Sequence, residues 1–271
     1  WMYETWHPHC DAPDRVKGRI NYTVWSDLFL CPHCGQEIVF WDVAVDRASG
    51  RVREEFPCPR CGALHTKRTL DRAWETVYDR ALKAPVRRAR QVPVLINYTV
   101  GRRRYEKTPD AADLDLLRRI EETDIPYRFP TDPLPEGYNT RQPMESHGIT
   151  HVHHFYTRRN LWTLAAMWHR VEKVTPSIQN ALRLLFTGLL INLSRLNRYR
   201  PFVSFPYNPL SGTLYIASQV SEANPFTAWK NYIHRLRRAF QTISRLSGED
   251  KTISTTSATN LSGFPDQTVD Y

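Results

Sequence analysis

The sequence predicts a mixed α/β protein with a β-rich ribbon inserted into it. Three observations carry that prediction. Strand-like runs rich in Tyr, Thr, Val and Trp crowd residues 19–108. The same stretch holds two near-identical Cys-Pro-x-Cys-Gly segments. From 157 to 271, helices with 3.6-residue apolar spacing alternate with strand-like runs. The chain has 271 residues, 41% hydrophobic and 24% charged, enough for one large domain or two modest ones. Nineteen prolines against 11 glycines favour loops over the glycine-rich turns that nucleotide cofactors need.

Taken in order, residues 1–18 are polar and read as a connector. Within the β-rich insertion, 19–108, Ile20–Leu30 reads as a strand and Glu37–Val45 as a second. Arg51–Phe56 reads as a third, after the turn Arg47-Ala48-Ser49-Gly50. Leu70–Leu82 is expected to be a short helix, and Leu95–Val100 with Arg103–Lys107 a hairpin across Gly101-Arg102. The pentapeptide Ile-Asn-Tyr-Thr-Val occurs at 20–24 and again at 96–100, marking two similar strands that flank the ribbon and no larger duplication. Residues 109–156 read as a linker region, with a helix from Asp110 to Arg118 and a Pro-rich loop over 124–142. In the α/β segment, 157–271, a first helix runs from its N-cap Thr157 to about Lys173, and a second from Ile178 to Leu196. A third, Ala228 to Leu246, carries the apolar stripe Trp229, Ile233, Leu236, Phe240 and Ile243. Strands are expected at 212–218, 252–259 and from 268 onward, and Trp162, Trp168 and Trp229 are read as core residues.

Cys31-Pro-His-Cys34-Gly and Cys58-Pro-Arg-Cys61-Gly are two copies of one knuckle. Two residues between cysteines let both thiolates point into a small turn, and the glycine after the second cysteine supplies the positive φ that the turn needs. Cys31, Cys34, Cys58 and Cys61 are therefore expected to hold one Zn²⁺. Four thiolates leave no open position for water, so the ion is read as structural. A second candidate cluster is His147, His151, His153 and His154, read mainly as ordinary histidines because no Asp or Cys stands near them in sequence. Cys10 reads as a free thiol.

The formal net charge is +9, and its placement is informative. From Thr175 to Gly248 nine bases accompany one acid, Glu222. A basic excess confined to one region is the footprint of a polyanion, most often nucleic acid. Arg158 and Arg159 at a helix N-terminus, and Arg235, Arg237, Arg238 and Arg245 on the third helix, are the expected phosphate contacts with double-stranded DNA. No apolar run is long enough to span a membrane, so none is expected as a partner. Cysteines spent in CxxC pairs, with no signal-peptide pattern at the N-terminus, point to a reducing, cytoplasmic setting.

The C-terminal run Thr255-Thr256-Ser257-Ala258-Thr259-Asn260-Leu261-Ser262-Gly263-Phe264-Pro265-Asp266-Gln267-Thr268-Val269-Asp270-Tyr271 resembles the approach to the catalytic motif in N6-adenine and N4-cytosine DNA methyltransferases. His154-Phe155-Tyr156-Thr157-Arg158-Arg159-Asn160-Leu161 resembles a helix start in a subgroup of these enzymes that also carries an inserted Cys-Pro-x-Cys-Gly zinc ribbon. The resemblance covers most of residues 15–271. It implies a methyltransferase-like α/β fold, S-adenosylmethionine as methyl donor, and transfer to the exocyclic amine of a flipped-out adenine or cytosine. It also implies restriction or defence-system proteins as further partners. Ser257 and Ala258, at the end of an expected strand, are the cofactor-binding candidates. The family's Phe-x-Gly-x-Gly cofactor turn and Pro-Pro catalytic motif are not in this sequence. They are expected before residue 1 and after Tyr271, so no catalytic residue is assigned within the chain, and it is expected to be inert alone. Asp132-Pro133-Leu134-Pro135, in a Pro-rich loop, is not read as that motif. The alternative is a non-enzymatic zinc-ribbon module that binds nucleic acid.

Overall fold

One long strand organises the fold. In a computed structural model, which describes residues 1–8, 16–200, 209–210 and 212–245, strand β2 runs over Lys17–Leu30 and both of its edges are used. One edge takes β9 (Gln91–Val100) and then β6 (Asp71–Arg72). The other takes β1 (Glu4–Trp6), β11 (Gln219–Ala223) and β3 (Glu37–Val39) in turn. β10 (Arg103–Lys107) closes a hairpin with β9 across Gly101, whose φ of 58° lies in the left-handed region that glycine adopts most readily. Two small hairpins stand apart: β4 (Glu55–Pro57) with β5 (Leu64–Thr66), and β7 (Trp74–Asp79) with β8 (Ala84–Ala89).

The two Ile-Asn-Tyr-Thr-Val copies pair with each other, antiparallel, on β2 and β9. Tyr22 faces Asn97 and Thr23 faces Ile96, past a bulge beside Asn21. The Asn21 amide donates to Asn97 Oδ1 (2.9 Å) and Thr99 Oγ1 (2.8 Å), binding copy to copy. Ile20, Ile96 and Tyr98 turn inward with Tyr3 to make one core cluster.

Several expectations are corrected here. The 1–18 stretch is not a free connector: β1 pairs with β2, Tyr3 is buried, and its hydroxyl donates to Asn160 Oδ1 at 2.6 Å. The expected strand 37–45 stops after Val39, and α1 (Phe40–Ala44) follows, because helical spacing buries Phe40, Trp41 and Ala44 together. Leu70–Leu82 is not a helix. Asp71–Arg72 forms β6, and Trp74, Thr76, Val77 and Tyr78 alternate between the faces of β7. The expected strand at 212–218 lies instead at β11, just beyond it. Expected strands at 252–259 and from 268 fall outside the described residues.

The described strands pair only antiparallel, so the mixed fold is α+β over these residues and no parallel α/β layer is among them. The expected insertion, 19–108, and the expected segment from 157 are also not separate layers, since β2 of the first carries β11 of the second. The described residues up to Asn231 form one compact unit, and Tyr232–Arg245 fall in a second.

Five longer helices follow. α2 (Ala111–Glu122) begins with a capping box in which Asp110 accepts from the Ala112 and Asp113 N–H groups. α3 (Tyr138–His147) ends at Gly148 with φ 71°, where Gly148 N–H donates to Met144 O and Ile149 N–H to Pro143 O. α4 (Arg158–Val171) starts from Thr157, whose hydroxyl accepts from Asn160 N–H as the sequence implies. α5 is Pro176–Leu190 and α6 is Pro225–Arg245. Trp168 packs on Phe186 at 5.1 Å between ring centres, joining α4 to α5. Of the expected apolar stripe on α6, Trp229 is half-buried against Phe186, whereas Ile233, Leu236 and Phe240 are exposed; the Ile243 side chain lies outside the described residues.

Candidate metal centre

Each cysteine knuckle is the turn of a hairpin. Cys31 follows β2 and leads to β3; Cys58 follows β4 and leads to β5. The two turns are wired alike. Cys31 N–H donates to Gln36 O (2.9 Å) and Gly35 N–H to Cys31 O (2.8 Å). Cys58 N–H donates to Ala63 O (2.8 Å) and Gly62 N–H to Cys58 O (3.0 Å). Gly35 and Gly62 sit at φ 69° and 72° in open space, so conformation and not crowding demands glycine.

The knuckles close on each other over a small core of Phe29, Ile38, Phe40, Phe56 and Leu70. Cys31 and Cys61 sulfurs are 3.8 Å apart, Cys34 and Cys58 sulfurs 3.7 Å, and all four lie within 4.8 Å of one another. Four sulfurs about 2.3 Å from a tetrahedral ion would sit about 3.8 Å apart, so these four can hold one metal ion. None is in a disulfide. The Cys61 N–H donates to the Cys58 sulfur and, with the Arg60 N–H, pushes that thiol down to about 6 against the effect of burial. The Gln36 N–H acts in the same direction on Cys34, but burial and the three neighbouring sulfurs win and push that thiol up to about 12. A metal ion would relieve that crowding by displacing the protons.

One partner was not anticipated from the sequence. His65, on β5 and buried, places Nε2 3.3 Å from Cys31 Sγ, where its N–H can donate to the thiolate. Such a hydrogen bond orients a metal ligand and offsets its charge. The signal was present, a histidine four residues past Cys61, but only folding brings it to the other knuckle.

The expected DNA contacts divide. Arg159 is 2% exposed and is not available to phosphate. Its Nη2 pairs with Glu222 Oε2, and it also donates to Glu222 Oε1 (3.1 Å) and Thr23 Oγ1 (2.8 Å). Glu222 further accepts from Trp25 Nε1 (2.8 Å) and from the Thr157 hydroxyl. Arg158 is also spent internally: its guanidinium donates to Thr123 O (2.6 Å) and Ile120 O (3.2 Å), tying the end of α2 to the start of α4. Arg235, Arg237 and Arg238 are exposed on α6 and form no ion pair among the described residues. The side chain of Arg245, together with Ser257, Ala258 and Cys10, lies outside the described residues.

The histidine cluster also divides. His147 belongs to a buried network: its Nε2 is 3.4 Å from Asp27 Oδ2 and its Nδ1 2.8 Å from Ser146 Oγ. Asp27 also pairs with Arg72 and accepts from Gln91 Nε2 at 2.8 Å. Burial opposes the Asp27 charge, yet these donors hold its carboxyl well below the usual range. Burial also pushes His147 below its ordinary value. His153 and His154 sit elsewhere: both face Asp79, so the fold brings an acid from far upstream to histidines whose sequence neighbourhood has none.

Among the described residues no helix is long and apolar enough to cross a membrane. Comparison with protein-family models, with curated proteins and with solved structures gives no match.

Proposed function

We propose that the four cysteines hold a structural Zn²⁺ and that this chain is the DNA-holding part of a DNA amino-methyltransferase. The zinc supports the fold, since the small core beneath the knuckles is too slight to order that region by itself. DNA holding rests on one observation: α6 displays Arg235, Arg237 and Arg238, and its whole length, 225–245, contains no acid. Helical spacing spreads these arginines over an arc of about 160°, apart from Ile233, Leu236 and Phe240. A convex cationic strip suits phosphates, and it fixes position more than sequence.

The experiment is fluorescence anisotropy with a 20-base-pair duplex at several salt concentrations. Replacing Arg235, Arg237 and Arg238 by Gln should weaken binding and flatten the plot of log K against log salt by about one unit per arginine lost. An unchanged slope would refute the assignment.

The methyltransferase half rests on the resemblance at 255–271 and around Thr157. In that reading S-adenosylmethionine supplies the methyl group, Ser257 and Ala258 stand near the donor, and this chain contributes grip and not the transfer step. Calorimetric titration of S-adenosylmethionine into the longest form of the protein tests it. DNA binding without any donor binding there would leave the non-enzymatic zinc-ribbon module as the better account.

A further inference from the structure

We propose that Asp79, His153 and His154 form a second metal site, one that binds a divalent first-row transition ion and leaves coordination positions open. It does not depend on the DNA reading above.

The geometry begins with Asp79, the last residue of β7, at the tip of the β7–β8 hairpin. Its two oxygens have different tasks. Oδ1 accepts from the Ala81 N–H (2.8 Å) and the Leu82 N–H (3.1 Å), closing an Asx turn. That fixes the carboxylate and leaves Oδ2 facing outward from the turn. His153 Nε2 and His154 Nε2 each lie 2.9 Å from this one oxygen. Both histidines come from the short 3₁₀ turn Val152–Phe155, anchored where Val152 N–H donates to Asp132 O (3.0 Å) and Leu134 N–H to Thr150 O (2.9 Å).

Three ligand atoms of the right kinds thus converge within 4.8 Å of one another. Two ligands about 2.1 Å from an ion and at right angles are about 3.0 Å apart, and both nitrogen–oxygen separations are close to that edge. Two imidazoles and one carboxylate are a donor set for Fe²⁺ or Zn²⁺ and not for Ca²⁺ or Mg²⁺, which prefer oxygen alone. The imidazoles can adapt. To bind through Nε2, each must carry its proton on Nδ1. Without an ion, each Nε2–H donates to Asp79 Oδ2 and the Thr150 N–H donates to His154 Nδ1 (3.3 Å), so an ion must displace both Nε2 protons; His154 Nδ1 then has Thr150 Oγ1 within 3.3 Å, and His153 Nδ1 is buried with no partner.

The contrast with the cysteine site is in what remains free. Four thiolates fill a tetrahedron, whereas three ligands do not. Asp79, His153 and His154 all line a cavity of about 180 Å³ whose wall also carries Arg88, Arg158 and Arg195. Those arginines are engaged by Glu75, Glu121, Gln91 and main-chain carbonyls, so the remaining positions on the ion would be taken there by water or by a small ligand entering the cavity.

Cobalt(II) titration into the metal-free full chain tests the site, read by bound metal per chain and by sulfur-to-cobalt charge-transfer absorbance. Two cobalt ions per chain are expected, only one of them producing the thiolate band. Asp79→Asn keeps an oxygen for the Asx turn but removes the charge, and His154→Ala removes a partly exposed ligand. Each should lower the content from two to one while the thiolate band stays intact. Wild-type protein that takes up a single cobalt, or variants that still take up two, would overturn the proposal. Should either variant lose its far-ultraviolet circular dichroism, the other decides.

Discussion

The pair Arg159–Glu222 offers the sharpest quantitative test of this fold. Replacing Glu222 by Ala removes an acceptor that serves Arg159, Trp25 and Thr157 at once. It leaves a guanidinium that is 2% exposed with no carboxylate to balance it. Stranding a buried charge in this way typically costs about 3–5 kcal/mol, far more than losing a surface pair. With a urea dependence of about 2–3 kcal/mol per molar, the unfolding midpoint should fall by about 1–2.5 M. Equilibrium denaturation followed by tryptophan fluorescence measures this. Replacing both partners, Arg159→Met with Glu222→Leu, should recover most of the loss, because no uncompensated charge then remains. A drop below about 1 kcal/mol for Glu222→Ala would refute the reading that this pair is buried and mutually dependent.

Other outcomes follow from the same structure. Chelation, or Cys61→Ser at the one exposed sulfur, should abolish hydrogen-exchange protection across β3, β4, β5 and the end of β2, while β9 keeps its own. Uniform loss everywhere, or none, would contradict that. Gly148→Ala should cost about 2 kcal/mol or more, since φ is 71° and an added Cβ would meet Arg87 O at 2.1 Å; thermal melting of the variant reads it. Asp27 and His147 both have folded values below their ordinary ones. Asp27's stabilisation is complete above about pH 4 and lost as pH falls further, and His147's is complete above about pH 6.5 and shrinks below it, because the unfolded chain takes up that proton more readily. Wild-type Tm should therefore fall between pH 7 and pH 5, and His147→Gln should flatten that decline; an equal slope in both proteins would count against it.

What the sequence could show was set by distance along the chain. The knuckles were legible because every requirement, two cysteines and a glycine at fixed spacing, is met within five residues. Thr157 as an N-cap and the β9–β10 hairpin were legible for the same reason. Asp79 and the 153–154 pair were not, because only the sheet and the loop at 132–134 bring them together. Arg159 was misjudged for a related cause. A helix start suggests phosphate, but its carboxylate partner lies 63 residues on, in the one acid of the basic stretch. The 70–82 region was misread because a few apolar residues fit either period, and only alternate burial on the β7–β8 hairpin separates them.

The order in which β2 acquires its neighbours bears on how the chain is made. Its residues 22–26 leave the ribosome almost two hundred residues before the strand that covers them, 219–223. At about 5–20 residues per second, that edge waits about 10–40 s for its partner. A bare strand edge invites pairing with another nascent copy, so slow translation or crowded polysomes should favour intermolecular capture over the native closure.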